Sequence, residues 1–457
     1  MSEIQLKNQV PVDEQALIEE RPFRLSHILR LSIFQMGSAM ADILTASVWN
    51  RVMIADFGMP ATPVGLLLAL QYLLLPITFW AGHRSDTKML WGKRRVSYIW
   101  FGRTWMVLAM PILGASLPYF QSGNASVGWL LAIVSFLMFG IGKLFSGSVY
   151  LALVRESAPR AKQGIAIGIV ETTLILFFPI TAVTYGRWME HYDAQTFTTM
   201  ILVTAVLCAF FWFIATVRAE QNTAVSEAAA SKIDGSIHEM RAKFQIIWQD
   251  HRVRRFFTFL FIATFAAWMQ DNILEPFGAD VFSLQAGTTT RFTGIWGGAT
   301  IIVLIACFIG FRRRKPQFQS SITKGGLTVM AVGMSLLAIS SFIEQTNLLM
   351  VGLLIFGIGF GFYTFGGLSL MAVMSPDKDA GAYLGLWTAC ILLSKGLGTF
   401  AGGAFRDLFL LGAGLSEAVT YLLVFALAAV GLLLAATILS GAQVISFAGD
   451  YGRSTEQ

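Results

Sequence analysis

Long apolar stretches, separated by short polar segments, fill most of this chain. An α-helix needs about 20 apolar residues to cross a bilayer, and barrel strands would instead alternate apolar and polar positions. The runs here do not alternate. They predict twelve transmembrane helices, at residues 31–55, 62–81, 96–117, 128–154, 164–186, 197–217, 256–282, 292–310, 325–343, 348–373, 381–405 and 418–440.

The second half of the chain partly repeats the first. Phe139-Gly140-Ile141-Gly142 returns unchanged at residues 356–359, and both copies lie in the fourth predicted helix of their half. A duplicated bundle of six helices is typical of membrane transporters. We therefore predict an all-α integral membrane protein with two pseudo-symmetric halves. Its segments are an N-terminal tail (1–25), a six-helix half (26–218), a linker (219–251), a second half (252–440) and a C-terminal tail (441–457).

Composition supports a membrane protein rather than a soluble enzyme. Apolar residues make up 55% of the chain and charged residues 13%, with a mean hydropathy of +0.64. The first 25 residues carry acids and no apolar core, which indicates that no cleavable signal peptide is present. Cys208, Cys307 and Cys390 all fall inside predicted helices, where we expect them to be packing residues rather than disulfide or metal-site residues.

The basic residues are distributed unevenly. Most of the 33 Lys and Arg lie in the even-numbered loops and the termini, and the odd-numbered loops hold only Arg51, Arg187, Arg291 and Arg406. This asymmetry predicts that both termini are cytoplasmic. The net charge of +6 is therefore explained by the orientation of the protein in the membrane. It indicates anionic membrane lipids as neighbours rather than nucleic acid.

The linker contains a second kind of pattern. Ile237, Met240, Phe244 and Ile247 recur at helical spacing between polar residues. They predict an amphipathic helix at the cytoplasmic membrane surface. Two interpretations remain open, a connector that ties the halves together and a docking surface for a partner, and the connector is favoured.

The loop after the second predicted helix carries a short motif. It reads Gly82-His83-Arg84-Ser85-Asp86 and then Gly92-Lys93-Arg94-Arg95. This resembles the signature loop of the major facilitator superfamily, although three extra residues separate Asp86 from Gly92. We expect the glycines to permit tight turns and Asp86 to accept hydrogen bonds from a neighbouring helix N-terminus. The resemblance implies a twelve-helix bundle in which helices 1, 4, 7 and 10 line a central cavity.

Polar side chains inside the predicted helices are candidates for function. A charge at the centre of the bilayer costs at least ~2.5 kcal/mol on insertion scales, so such residues pair internally or serve a site. For Asp42 and Asp271 a substrate or proton-coupling role and internal pairing, such as Asp42 with Lys143, are equally open. Internal pairing is favoured for Lys395. The candidates are Gln35, Asp42, Asn50, Arg51, Gln71, Lys143, Glu171, Gln270, Asp271, Asn272 and Glu275.

Proline and glycine mark further features of the helices. Pro276 and Gly278 predict a break near the outer end of helix 7, and freed carbonyls there must line a cavity or be buried in protein. Residues 270–278 are therefore the strongest local site candidate. The pairs Gly164/Gly168 and Gly381/Gly385 predict close helix packing at the cytoplasmic starts of helices 5 and 11.

Two stretches carry a closer resemblance. Residues 37–54, which include Asn-Arg-Val-Met-Ile, and residues 270–278, which read Gln-Asp-Asn-Ile-Leu-Glu-Pro-Phe-Gly, resemble the PucC-type bacteriochlorophyll-delivery branch of the superfamily. The resemblance covers about residues 26–440. It implies a factor for assembly of light-harvesting or photosystem complexes that handles chlorophyll or bacteriochlorophyll. The implied partners are antenna or photosystem/reaction-centre polypeptides and chlorophyll synthase, in a thylakoid, intracytoplasmic or bacterial inner membrane.

A chlorin needs an apolar slot and one axial ligand for its magnesium. The five histidines all fall in loops or at membrane interfaces, so no histidine is expected in the middle of the membrane. His27, near the cytoplasmic start of helix 1, is the best placed of them, although a simple interfacial role is favoured. The remaining candidate ligands are Asn50, Gln71, Gln270 and Asn272.

Two other functions compete with assembly and pigment delivery. The alternative is a proton-coupled small-solute transporter in which Asp42, Glu171 or Asp271 titrates. A pigment prenyltransferase would need clustered aspartates to hold Mg²⁺-diphosphate. The cytoplasmic loops offer only isolated acids such as Asp86, so we expect no enzymatic activity.

Overall fold

A computed structural model describes residues 23–74, 76–159, 162–220, 248–311, 316–374 and 380–440. The predicted amphipathic linker segment falls largely in 221–247, outside the described residues, as do both predicted tails apart from Phe23–Leu25.

The helices, numbered here in chain order, are α1 (Leu25–Ile43), α2 (Ala61–Leu73), α3 (Pro76–Thr87), α4 (Val96–Gln121), α5 (Ala125–Glu156), α6 (Gln163–Trp188), α7 (Ala194–Thr216), α8 (His251–Trp268), α9 (Leu274–Asp280), α10 (Ala286–Phe311), α11 (Pro316–Ile343), α12 (Thr346–Val373), α13 (Ala380–Asp407) and α14 (Glu417–Ser440).

Twelve membrane crossings account for these helices. In the described part of the chain, ten helical segments are long and apolar enough to span a bilayer. The second and seventh crossings are each built from two shorter helices, α2 with α3 and α8 with α9. The prediction of twelve transmembrane helices is therefore confirmed.

Each six-helix half surrounds a core of its own. In the first half, Phe34 stacks on Tyr150 with ring centroids 3.8 Å apart. In the second half, Phe277 packs against Phe425 with ring centroids 4.8 Å apart. Because lipid is as apolar as these side chains, packing contacts rather than exclusion of water hold such cores together.

The repeated glycine motif has the same packing role in both halves. Gly142 on α5 faces Gly102 on α4, where a Cβ on Gly102 would lie 2.6 Å from the Gly142 carbonyl oxygen. In the second half, a Cβ on Gly359 of α12 would lie 2.8 Å from the carbonyl oxygen of Gly326 on α11. Small residues therefore bring the backbones of these helix pairs together at equivalent places.

The seventh crossing is broken, but not at the predicted residue. The chain leaves the helix between Met269 and Ile273, and Pro276 lies in the first turn of α9. Proline is tolerated there because the first turn needs no intrahelical hydrogen bond from its nitrogen. The break therefore precedes Pro276.

The predicted packing of Gly164 and Gly168 is wrong, and so is that of Gly385. A Cβ on any of the three would meet nothing within 4 Å; the surroundings of Gly381 are not described. The halves instead meet at their outer ends, where a Cβ on Gly186 of α6 would lie 2.5 Å from the carbonyl oxygen of Gly287 on α10. This contact between the halves therefore lies at the predicted outer side, whereas open space surrounds the three glycines near the predicted cytoplasmic side.

Candidate functional site

A cavity of about 260 Å³ lies between the two halves. The resemblance predicted that helices 1, 4, 7 and 10 would line it. The first, seventh and tenth crossings (α1, α8–α9 and α12) do so, and the second, fifth, eighth and eleventh (α2, α6, α10 and α13) also contribute. Its polar lining residues are Asp42, Thr45, Ser47, Gln71, Tyr72, Gln270, Asp271, Glu275, Thr293, Thr300, Thr364 and Lys395.

An ion pair occupies the wall that belongs to the first half. Lys143 Nζ on α5 lies 2.7 and 2.8 Å from the two carboxylate oxygens of Asp42 on α1. The same ammonium donates to Gln71 Oε1 at 2.9 Å. The internal pairing of Asp42 with Lys143 is thus confirmed. The prediction that helix 4 lines the cavity is wrong, because no residue of α5 is among the lining residues; Lys143 contacts Asp42 and Gln71 from behind the wall.

The opposite wall holds a second acid and a second base that are not in direct contact. Thr399 Oγ1 donates to Asp271 Oδ2 at 3.1 Å. Lys395 Nζ lies 3.4 Å from the ring centroid of Trp268 and 5.0 Å from that of Tyr72. A cation over an aromatic face is attracted by the ring's electron density. Lys395 is therefore held by aromatic rings.

Two buried oxygen atoms of cavity-lining residues beside the break in the seventh crossing have no hydrogen-bond donor among the described residues. They are Oε1 of Gln270 and Oε2 of Glu275. The other oxygen of Glu275 accepts a bond of 3.2 Å from Thr293 on α10, whose hydroxyl lies 3.4 Å from that of Ser47 on α1. A buried acceptor left unpaired is costly. Both residues line the cavity, so these oxygen atoms are the candidates for contact with a bound ligand.

Aromatic rings form much of the remaining cavity wall. The ring centroids of Trp268 and Trp296 are 6.3 Å apart, and Phe360 lies 5.9 Å from the former and 5.6 Å from the latter. Phe178 lines the cavity from α6. The cavity thus combines flat apolar surfaces with a few polar groups, as is typical of small-molecule sites.

Three predicted site residues lie outside this cavity and join the halves instead. Asn50 Nδ2 donates to the carbonyl oxygen of Asn272 at 2.8 Å, and Asn272 Nδ2 donates to that of Ala61 at 3.3 Å. Arg51 pairs with Asp56 and donates from Nε to Thr289 at 3.1 Å. These side chains hold the two halves together.

Three further candidates lie on the first half, also outside the cavity lining. Gln35 Nε2 on α1 donates to Glu171 Oε1 on α6 at 3.3 Å. His27, half-buried near the start of α1, lies 3.3 Å from Arg30 through its Nδ1 atom. The structure therefore groups Asp42, Gln71 and Lys143 with the candidates on the seventh crossing and leaves these three apart.

The signature motif is partly helical. Gly82 and Asp86 lie within α3 rather than in a loop, so the turn predicted at Gly82 is wrong. The turn at Gly92 is confirmed, because its φ of +73° belongs to the left-handed region that favours glycine. A complete helical turn at Gly82 satisfies the backbone groups that a loop would have exposed.

The basic end of the motif binds acids from two other segments. Arg95 and Arg94 lie 2.6 and 2.7 Å from Glu156 at the end of α5. Glu220 accepts bonds from the backbone nitrogens of Arg95 and Val96 at 3.0 and 2.9 Å. A carboxylate at a helix N-terminus satisfies donors that the helix leaves unpaired. These contacts tie α3, α4 and α5 together.

Sequence reasoning missed an outer network at the end of α13. Arg406 lies 2.7 Å from Asp280 and 2.8 Å from the Tyr421 hydroxyl. Asp407 accepts bonds from the backbone nitrogens of Ala61 and Thr62 at 3.0 and 2.7 Å, which caps α2 from the other half. The sequence contains a signal for this network, because Arg406 is one of the few basic residues in the odd-numbered loops and Asp407 follows it directly.

Comparison of the sequence with known proteins gives consistent matches. The family described as PUCC protein matches residues 48–446. Protein PucC of Rhodovulum sulfidophilum is 30% identical over 411 residues, covering 86% of this chain and 87% of that protein. A Rhodobacter capsulatus protein named Bacteriochlorophyll synthase 44.5 kDa chain is 26% identical over 428 residues, covering 91% and 94%.

Solved structures share the fold at low sequence identity. A POT family transporter in complex with 5-aminolevulinic acid has a TM-score of 0.67 at 14% identity, with 91% of this chain and 96% of that one covered. A D-xylose-proton symporter has a TM-score of 0.62 at 12% identity, with 89% and 96% covered. These likenesses confirm a major-facilitator-type bundle, and they show the fold alone.

Proposed function

The chain belongs to the PucC family, and we propose that it is a membrane assembly factor for photosynthetic light-harvesting or photosystem complexes. In this role it binds chlorophyll or bacteriochlorophyll in the cavity between its halves and delivers the pigment to antenna or reaction-centre polypeptides. Chlorophyll synthase is the proposed source of the pigment. The role is non-catalytic, in a photosynthetic or bacterial inner membrane, with both termini cytoplasmic.

The observation that carries the proposal is the pairing of aromatic walls with unpartnered oxygen atoms in one cavity. A chlorin ring is flat and apolar, and it can stack on Trp268, Trp296 and Phe360. Its magnesium is a hard cation that prefers oxygen ligands. The amide oxygen of Gln270 and the second carboxylate oxygen of Glu275 are buried and lack hydrogen-bond partners among the described residues. These features support the proposal that the pigment binds in this cavity.

Each group has a distinct part in this proposal. Gln270 Oε1 would hold the magnesium of the pigment as a neutral oxygen ligand, and Glu275 is held in position by the hydroxyl of Thr293. The open space beside Gly168 and Gly385 is the proposed way in for the pigment, from the cytoplasmic half of the membrane. Asn50, Arg51 and Asn272 keep the outer side closed.

Replacement of Glu275 tests the functional role of the cavity. Glu275→Gln keeps the volume of the side chain and replaces its carboxyl group with an amide, so we expect insertion and expression to be unchanged. In a phototroph that lacks the native gene, antenna or photosystem accumulation should fall at least three-fold relative to wild type. The measurement is pigment-protein absorption of isolated membranes, normalised to the amount of this protein.

Glu344→Gln is the matched control, because Glu344 is exposed in the loop between α11 and α12. It should support wild-type accumulation. Wild-type pigment-protein levels in the Glu275→Gln strain would remove the seventh crossing from the mechanism.

The second candidate is a proton-coupled transporter of a small solute. Three carboxylates, Asp42, Asp271 and Glu275, line the cavity, and the fold is that of transporters. Proteoliposomes should then accumulate 5-aminolevulinic acid or another solute in response to a pH gradient, and Asp271→Asn should abolish the response. Uptake that is indifferent to the gradient would contradict this second candidate.

A further inference from the structure

Another buried cation, Arg103 on α4, lies away from the central cavity. Arg103 is the eighth residue of α4, about 10 Å along the helix axis from its cytoplasmic start at 1.5 Å per residue. Its exposed fraction is 7%. It is not among the residues that line the central cavity, so pigment binding there does not account for it.

Two aromatic rings cover the guanidinium of Arg103. Its central carbon lies 4.2 Å from the ring centroid of Phe34 and 4.6 Å from that of Trp212. Along its edge, Nη1 lies 3.3 Å from the hydroxyl oxygen of Ser38 and 3.4 Å from the sulfur of Met106. Nε is buried and has no acceptor in the described part of the chain. The rings stabilise the faces of the cation, but its in-plane donors remain underused.

Arg103 also differs from the other buried arginines. Arg51 pairs with Asp56, and Arg406 pairs with Asp280. Among the described residues, no carboxylate lies within ion-pair distance of Arg103. A guanidinium has five in-plane N–H donors whose geometry matches carboxylate and phosphate oxygens. The unmet donors of Arg103 therefore suit an anion supplied from outside the protein.

A groove of about 230 Å³ between α4 and α7 leads to Arg103. Val107, Leu108 and Phe213 form apolar walls, and Thr104 adds a hydroxyl. Leu108 and Phe213 are more than half exposed, at 54% and 53%. The groove therefore opens onto the acyl chains of the surrounding bilayer.

A second cation stands at the cytoplasmic mouth of the groove. Lys93 Nζ lies 5.6 Å from the ring centroid of Trp100, the groove residue nearest that end of α4. The indole nitrogen of Trp100 donates to Thr216 Oγ1 at 2.9 Å, which fixes the ring between α4 and α7. Basic side chains at this level of the membrane attract anionic headgroups.

We propose that this groove binds one anionic phospholipid from the cytoplasmic leaflet. The phosphate lies between Lys93 and the free donors of Arg103, and an acyl chain runs along Val107, Leu108 and Phe213. The charge of the two cations and the apolar walls together match an amphiphile with a negative head. This site is independent of the pigment site, so either proposal can fail without the other.

Native mass spectrometry of the purified full-length protein tests the proposal. The protein is exchanged into detergent micelles that contain phosphatidylglycerol or phosphatidylcholine, and retained lipid is counted. We expect one phosphatidylglycerol to be retained by wild type, with at least a five-fold preference over phosphatidylcholine. Retention should fall at least five-fold in Arg103→Gln and Lys93→Gln. Arg187→Gln, which removes an exposed arginine at the outer end of α6, should retain lipid as wild type does.

Leu108→Trp keeps both cations and fills the groove, so it remains informative if Arg103→Gln does not fold. Loss of phosphatidylglycerol from folded Leu108→Trp supports an acyl chain in the groove. Retention equal to wild type in Leu108→Trp and Lys93→Gln overturns the proposal. Displacement of the lipid by millimolar inorganic phosphate would show that a free anion, and not a lipid, is the occupant, and would overturn it as well.

Discussion

Three acids and two bases face one another around the central cavity. Asp42 is neutralised by Lys143, and Asp271 lies near Lys395, whose ammonium rests on Trp268. Glu275 has no basic partner within ion-pair distance among the described residues. The cavity therefore carries one acid more than it has bases. The cavity therefore offers no surplus positive charge to an anionic ligand, and the proposed chlorin ring is uncharged.

The pairing of Asp42 with Lys143 gives a prediction about stability. Lys143→Gln leaves the Asp42 carboxylate without its partner and should lower the free energy of unfolding by about 2 kcal/mol. This value is below the ~3–5 kcal/mol typical of fully buried pairs, because both side chains are partly exposed. Adding Asp42→Asn removes the unpaired charge and should recover part of the loss. Thermal unfolding of Lys143→Gln, Asp42→Asn and the double variant in detergent measures these changes in stability.

A double variant as unstable as the sum of the two single variants would contradict this account of the pair. Glu190→Gln is the control for loss of a charge, since Glu190 is exposed. It should change the unfolding temperature little.

At the scale of single residues, the sequence identifies the polar side chains of the apolar helices. It does not specify the directions in which these side chains point. Charges such as Asp42 and Lys143 stand out in apolar helices because of their cost in lipid. Their pairing was open to prediction because both lie near the middle of their crossings. Gln270 and Glu275 are predicted as candidate site residues because they are polar residues in an apolar helix. Their unpaired oxygens depend on side-chain geometry that spacing does not specify.

Irregular helices explain why some predicted site residues lie elsewhere. The first crossing continues beyond α1 through π-helical turns at Leu44–Trp49 and Val52–Asp56. A π turn adds a residue and rotates the later residues of the crossing around the helix axis. Asn50 and Arg51 therefore reach the second half at Asn272 and Thr289 rather than the cavity. Regular helical periodicity does not predict this.

The contact between α6 and α10 gives a prediction at the level of helices. A side chain on Gly287 would overlap the carbonyl oxygen of Gly186, so Gly287→Val forces the two helices apart. We expect a loss of about 1–3 kcal/mol in stability, the usual cost of overpacking. A cysteine introduced at Leu284, whose carbonyl oxygen accepts a bond from Arg51, reports on the outer contact between the halves. Its rate of labelling by a thiol reagent should increase in Gly287→Val, because the contact opens. Unfolding temperature and labelling rate are the measurements.

Gly168→Val is the matched control on α6. Its Cβ would meet nothing within 4 Å, so stability and outer labelling should stay near wild type. Equal losses in both variants would mean that helix propensity, and not the contact between the halves, sets the effect.

At the scale of the whole molecule, the sequence was sufficient to predict the twelve-helix bundle. It was not sufficient to predict how the two halves of the bundle are arranged against each other. Each crossing could be predicted from its own apolar run, and the glycine motif pointed to duplication. The open space beside Gly164 and Gly385 depends on how two finished bundles meet. No local pattern contains that information. The outer network of Arg406 and Asp407 escaped prediction for the same reason, because its partners lie far away in the chain.

The pigment content of the purified protein tests the central claim most directly. Wild type, Thr364→Trp and Thr328→Trp are purified from a phototroph, and the ratio of pigment to protein is measured by absorption. Thr364 lines the cavity, so tryptophan there fills it; Thr328 is exposed on α11 and is the control. We predict about one chlorophyll or bacteriochlorophyll per protein in wild type and in Thr328→Trp, and at least five-fold less in Thr364→Trp. Pigment absent from wild type, or retained equally by all three proteins, would contradict the account.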